Sequence, residues 1–208
     1  MAPPHRAVAA GAGRPLTLRQ ELVRKAVHLG AASIPIGYSL GVPRGLLEAV
    51  LSAAVALALV TEAARRASPA AGILFNRVFG SLVRRHEERA ITGATWLAVS
   101  CLALVLLLSR HAAVAALWCA TVGDPVAAIV GKTWTTLRAP VHEARKTLVG
   151  SLAGAVASVA GAWLLAGYPP VRALAIAGVA ALAEAMPVNV DDNVRVAAAA
   201  GAVAQLLA

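Results

Sequence analysis

Apolar residues run along this chain in long blocks separated by short polar or basic stretches. The blocks are His28 to Val42, Leu46 to Thr61, Ala94 to Ser109, Ala112 to Val130, Leu148 to Ala166, Val171 to Met186 and Val194 to Ala208. A helix rises ~1.5 Å per residue and needs roughly 20 apolar residues to cross the hydrocarbon core of a bilayer. The pattern therefore predicts an all-α fold, a polytopic transmembrane helix bundle of about seven spans. For the short first and last blocks a tilted, re-entrant or interfacial placement stays open. Residues 1–16 carry Pro3, Pro4, Gly11, Gly13 and Pro15 around a weak alanine run, with no signal-peptide core, and read as a disordered tail. Helical sequence begins near Thr17, an N-cap residue type, and 17–208 reads as a single membrane-embedded domain. The longest connection, Glu62 to Thr92, places Phe75, Val78, Phe79, Leu82 and Val83 at helical spacing. An amphipathic helix on the inner leaflet fits them, with Arg77, Arg84, Arg85 and Arg89 either touching anionic head groups or acting only as topology determinants.

Composition supports the membrane reading: of 208 residues 59% are hydrophobic and only 14% charged, which is not soluble composition. The net charge of +9 raises nucleic acid as a partner, but the basic residues sit in short clusters between apolar runs and only 4% of residues are aromatic. Membrane topology explains the charge better. With a cytoplasmic N-terminus and seven spans, sixteen of the 19 Lys and Arg residues fall inside and only Arg44, Arg110 and Arg172 fall outside. The long loops are then cytoplasmic, so chemistry on water-soluble molecules belongs to that face. Cys101 and Cys119 lie alone in apolar stretches, which removes a disulfide framework and a thiolate metal site. The alanine- and arginine-rich composition fits an integral protein of a prokaryotic plasma membrane.

Several polar residues stand where an apolar run makes them costly. In the first helix Glu21, Arg24, Lys25 and His28 fall at i, i+3, i+4 and i+7, within an arc of about 100°. The fourth block contains Gly123-Asp124-Pro125, a carboxylate costing roughly 3 kcal/mol or more in lipid unless paired or wet. Pro125 predicts a break at Gly123-Asp124, a discontinuous fourth helix, with Asp124 free to cap its second half. Gly131-Lys132-Thr133 resembles the end of a phosphate loop, but the glycine needed five positions earlier is Val126. Lys146-Thr147 opens the fifth block, where a lysine, a hydroxyl and free N–H groups at a helix start favour phosphate. Gly150, Gly154, Ser158 and Gly161 form a small-residue stripe that reads as close helix packing from Gly154 onward. Glu184 lies near the cytoplasmic end of the sixth block, followed by Asn189, Asp191, Asp192 and Asn193, oxygen donors that suit magnesium or a solvated turn.

In combination and order these segments resemble a family. Glu21-x-x-Arg24-Lys25-x-x-His28, Gly93-Ala94-Thr95, Gly123-Asp124-x-x-Ala127-Ala128-x-x-Gly131-Lys132, Lys146-Thr147-x-x-Gly150-Ser151 with Gly154, and Glu184-x-x-Pro187 with Asp191-Asp192-Asn193 look like the CTP-dependent lipid kinases. That family includes dolichol kinase, phytol and farnesol kinases and the CTP-dependent diacylglycerol kinase. The resemblance implies transfer of the γ-phosphoryl group of CTP, with magnesium, to the hydroxyl of a membrane lipid alcohol at the cytoplasmic face. It implies Asp124, Lys146, Glu184 and Asp192 as catalytic residues. Arg24, Lys25, His28, Lys132, Thr147, Gly150, Ser151 and Asn193 would hold the nucleotide, and Asp124, Asp191 and Asp192 the metal. Which carboxylate takes the hydroxyl proton, and whether the acceptor is an isoprenoid alcohol or diacylglycerol, stay open. The chief rival is a CTP:phosphatidate cytidylyltransferase, whose His-Gly-Gly and Asp-Arg-x-Asp runs are absent here. A small transporter using Asp124 is a further alternative; no clean internal repeat supports it.

Overall fold

The computed structural model describes residues 18–80, 82–84, 87, 90–134, 147–186 and 188–208. The tail expected at 1–16, the cap at Thr17, Lys146 and Pro187 lie outside the described residues. The described residues are helical in the order α1 (Leu18–Gly30), α2 (Ser33–Ser39), α3 (Arg44–Ala67), α4 (Pro69–Phe79), α5 (Gly93–Leu107), α6 (Arg110–Trp118), α7 (Asp124–Thr133), α8 (Leu148–Leu164), α9 (Pro170–Ala185) and α10 (Asp192–Leu206). A π-helical segment, Cys119–Gly123, joins α6 to α7.

The predicted blocks from the second onward correspond to single helical runs, because each is an unbroken apolar stretch ended by Pro, Gly or a polar cluster. The first block differs. The chain turns at Ala31-Ala32 between α1 and α2, where Gly30 weakens the helix and the Ser33 hydroxyl donates to the Gly30 carbonyl at 2.9 Å. After α2, Gly41 takes φ +101°, a left-handed backbone that only glycine adopts without strain, and reverses the chain into α3.

Among the described residues, two helical runs are long and apolar enough to cross a membrane, Arg44–Ala67 and Arg110–Thr133. They play opposite parts. The second is the hub: Ala112 to Leu117, Cys119 and Ala120 are buried, and its neighbours are α1, α2, α5, α8 and α10. Only 11% of the most apolar stretch of α3 is buried, and Leu46, Val50, Leu57, Leu59 and Val60 face outward. A soluble core helix buries such residues, so α3 presents an apolar flank suited to lipid.

One end of the bundle gathers the three arginines expected outside. Arg44 donates to Leu106 O at 2.6 Å, Arg110 lies 4.9 Å from the Tyr38 ring centroid, and Arg172 donates to Leu207 O at 2.6 Å. These bonds satisfy carbonyls at the ends of α5 and α10 that have no partner within their own helix. In the connection from α3 to α5, α4 packs on α3, with Phe75 half-buried and the Arg65 guanidinium 5.0 Å from its ring centroid. Ile73, Leu74, Val78 and Phe79 are exposed, and the helix begins earlier than the aromatic spacing predicts and ends before Leu82 and Val83.

Candidate active site at the bulge of the fourth apolar block

The fourth block is not broken. The predicted gap at Gly123-Asp124 is replaced by the π segment, and the N-cap position of α7 falls on Gly123, with Asp124 the first residue of the helix; its backbone N–H donates to Cys119 O, five residues back. The reason lies in Pro125. A proline removes one N–H and crowds the preceding turn, and a wider turn relieves both without ending the helix. The wide turn also bypasses the Ala120 carbonyl, which an α-helix would pair with the Asp124 N–H. That carbonyl accepts instead from His28 Nε2 at 3.0 Å. A ring nitrogen facing a carbonyl must carry the proton, which assigns the His28 tautomer.

The basic stripe of α1 thus docks onto the bulge. Lys25 Nζ donates to Asp124 Oδ2, and the two side chains are only 6% and 7% exposed. Burial of either charge alone would be prohibitive; together they form an ion pair joining segments 99 residues apart. Arg24 is half-buried beside Lys25 in sequence, while the Glu21 side chain lies outside the described ones.

Below the bulge, α7 and α8 meet on glycine. A β-carbon added at Gly154 would stand 2.7 Å from Ala127 Cβ, one at Gly150 2.8 Å from Gly131 Cα, and one at Gly123 2.2 Å from Ser158 Oγ. The small-residue stripe therefore begins at Gly150, where the sequence reading placed nucleotide contact. Thr147 caps α8, its buried Oγ1 accepting from Gly150 N at 3.1 Å, so the hydroxyl proton remains available to an anion. Ser151 and Lys132 are half-buried at the same end of this helix pair.

The acidic turn after α9 is tied elsewhere. Asp191 caps α10, its Oδ1 accepting from Asn193 N at 2.9 Å and from Asn193 Nδ2 at 2.8 Å, and Asn193 Nδ2 also reaches Gly93 O at 3.0 Å. Asp192 is paired with Arg195. Burial lifts the Asp191 carboxyl above the ordinary aspartate range; the Asn193 bonds oppose this, and the nearby charges of Asp192 and Glu87 add to it.

Glu87 and Glu62 were not singled out from the sequence. Glu87 Oε2 accepts from Arg84 N at 2.9 Å and its Oε1 from Gly93 N at 3.3 Å. Glu62 accepts from Arg65 Nε at 2.8 Å and from Thr92 N at 2.9 Å, fastening the end of α3 to the start of α5. The Glu62/Arg65 spacing of i, i+3 was the available signal. Over Gly93, the point where a β-carbon would sit is 3.2 Å from Glu87 Oε1 and 3.6 Å from Asp191 Oδ2. Among the described residues no three His, Cys, Asp or Glu side chains converge as a metal-holding group.

Asp124 also borders a small cleft with Glu184 of α9 and Ser158 of α8. Comparison with protein-family models, curated proteins and solved structures gives no match.

Proposed function

We propose that this protein is a membrane-embedded kinase that transfers the γ-phosphoryl group of CTP to the hydroxyl of a lipid alcohol at the cytoplasmic face. The observation that carries the reading is the buried Lys25/Asp124 pair, seated on the bulge and bordering the cleft that holds Glu184. A structural ion pair has no need of a cleft and a second carboxylate beside it. Lipid crossing by all seven blocks, with the N-terminus inside, belongs to the same proposal. It is supported by the sixteen-to-three division of basic residues and by the gathering of Arg44, Arg110 and Arg172 at one end.

In this mechanism the alcohol oxygen bonds to the γ-phosphorus, the bond from that phosphorus to the β–γ bridging oxygen breaks, and CDP leaves with the electron pair. Lys25 and Arg24, with Lys132, the Thr147 hydroxyl and Lys146, neutralise charge moving toward CDP. As Lys25 turns to phosphate, Asp124, released from that ammonium, takes the hydroxyl proton as base, with Glu184 the alternative. His28, spent on Ala120 O, positions the bulge rather than touching the nucleotide. Magnesium neutralises phosphate charge in such reactions and is held by one or two carboxylates plus phosphate and water. Asp191 Oδ2 and Glu87 Oε1, from two segments flanking Gly93, fit that donor set. Asp192, engaged by Arg195, supports the turn that carries Asp191.

The test is donor choice. Protein purified in detergent receives a lipid alcohol with magnesium and either γ-labelled CTP or γ-labelled ATP. Label entering lipid from CTP in large excess over ATP is expected; transfer from ATP alone overturns the donor, and no transfer overturns the reading.

A further inference from the structure

Phosphoryl transfer makes no use of α4. This helix follows α3 at once: Ser68 caps it, its Oγ accepting from Ala71 N at 3.4 Å, and Pro69 opens it. It therefore starts at the end of α3 away from Arg44. One residue anchors its inner side. A β-carbon on Gly72 would stand 3.1 Å from Arg65 O, and the Arg65 guanidinium lies 5.0 Å from the Phe75 ring centroid. That guanidinium also donates to Glu87 O at 3.0 Å and to Ala90 O at 2.5 Å, so the stretch after α4 returns to the same anchor. The side away from Gly72 and Phe75 is exposed. Ile73, Arg77, Leu74 and Val78 fall there within an arc of about 140°. The three apolar side chains are 68%, 61% and 56% exposed, and Arg77 is exposed among them. Such a cluster is more than the scattered apolar residues of a soluble surface. The 11 residues of α4 rise about 17 Å against ~30 Å of hydrocarbon core, too little to cross it.

Resting on the lipid crossing proposed above but on no step of phosphoryl transfer, we infer that α4 docks in the plane of the membrane surface and that its partner there is anionic phospholipid. A short helix with an apolar outer face and a basic residue within it, joined to the end of a helix whose own apolar flank faces outward, fits the boundary between head groups and acyl chains. Ile73, Leu74 and Val78 enter the acyl side of that boundary, while the Arg77 stem lies along it and its guanidinium reaches phosphate. Charge selects the lipid. From Glu62 to Thr92 the sequence holds six arginines against three glutamates, an excess that draws anionic head groups to this end of α3.

The test places the full chain in lipid nanodiscs of phosphatidylcholine alone or of an equimolar mixture with phosphatidylglycerol. Leu74→Cys and Val78→Cys on α4, and Leu57→Cys on the outward flank of α3, each carry a polarity-sensitive fluorophore; the buried Cys101 and Cys119 stay unlabelled. Quenching by phospholipid with brominated acyl chains is compared with quenching by iodide in water. Lipid quenching is expected at both α4 positions, with its ratio to iodide quenching about threefold or more higher in the mixture than in phosphatidylcholine. Arg77→Gln should remove about half or more of that rise. Iodide quenching without lipid quenching at the α4 positions, while lipid quenches the Leu57→Cys probe, overturns the docking and leaves the crossing standing. Protection of the α4 probes from both quenchers identifies a protein cover, a second copy or another chain, and also overturns the docking. Equal ratios in the two lipid compositions overturn the choice of anionic lipid. A Leu57→Cys probe reached by iodide and not by lipid overturns the crossing and the docking together.

Discussion

Replacing Lys25 by Met takes the Lys25 ammonium away from the buried Asp124 carboxylate. Removing one partner of a buried pair costs about 3–5 kcal/mol, whereas replacing both with uncharged groups of similar size is often close to neutral. With side chains 6% and 7% exposed, little solvent is present to soften the loss, so Lys25→Met falls in that range. Lys25→Met combined with Asp124→Asn should regain most of it. The chain supplies its own reporter: Cys101 and Cys119 are 1% and 0% exposed, so a thiol-reactive fluorophore labels them only on unfolding. A heating scan should show the single variant unfolding about 10 °C below the natural protein and the double variant within a few degrees of it. Phosphoryl transfer should be absent in both. A double variant that recovers activity along with stability refutes the reasoning, because the pair is then only a clamp. Equal stability of the single variant and the natural protein refutes the burial argument itself.

Gly161→Ala should destabilise by about 2 kcal/mol or more, since the new β-carbon would stand 2.0 Å from Trp118 Cδ1, while Gly178→Ala, with nothing within 4 Å, should change little in the same heating scan. In intact cells, cysteines introduced at the two ends of the chain should react from opposite sides of the membrane, the N-terminal one only after permeabilisation; reaction of both from one side removes a crossing. Asp191 gives a pH slope. Its folded-state affinity for a proton is raised, so between the ordinary aspartate range and that raised value the folded chain holds more protons than the unfolded one. Stability therefore falls as pH rises through this window. Urea titrations at stepped pH should show that slope, and Asp191→Asn, which keeps a cap oxygen, should flatten it.

Helix boundaries were legible in the sequence because apolar length and the Pro and Gly stops act locally. Arg44, Arg110 and Thr133 lie within a few residues of the block limits read from the pattern, whereas α3 runs past Thr61 to Ala67, into what read as the long connection. The continuity of the fourth block was not legible. Whether Pro125 breaks a helix or widens a turn depends on whether the bypassed carbonyl finds a donor, and that donor, His28, is 92 residues away. The α1 stripe was legible as a stripe, but nothing in its spacing named Asp124 as the partner of Lys25. Gly150 was read as a ligand contact because it follows Lys146-Thr147, and only the fold shows it against Gly131. Glu62 and Glu87 were passed over because a charged residue in a loop is usually solvated. Their burial follows from Thr92 and Gly93 folding back onto them.

Two facts decide the chemistry: which phosphate moves, and whether Asp124 is needed for its movement. The most direct measurement supplies CTP labelled differently at its α- and γ-phosphates, together with phytol and magnesium, to the natural protein and to Asp124→Asn. The natural protein should place γ-label in lipid and leave α-label in CDP. Asp124→Asn should lower that transfer at least about 100-fold, the scale of losing one group aimed at the reacting centre. Its Cys101 and Cys119 should stay protected from the fluorophore at assay temperature. Appearance of α-label in lipid, or near-natural transfer by Asp124→Asn, would contradict the account.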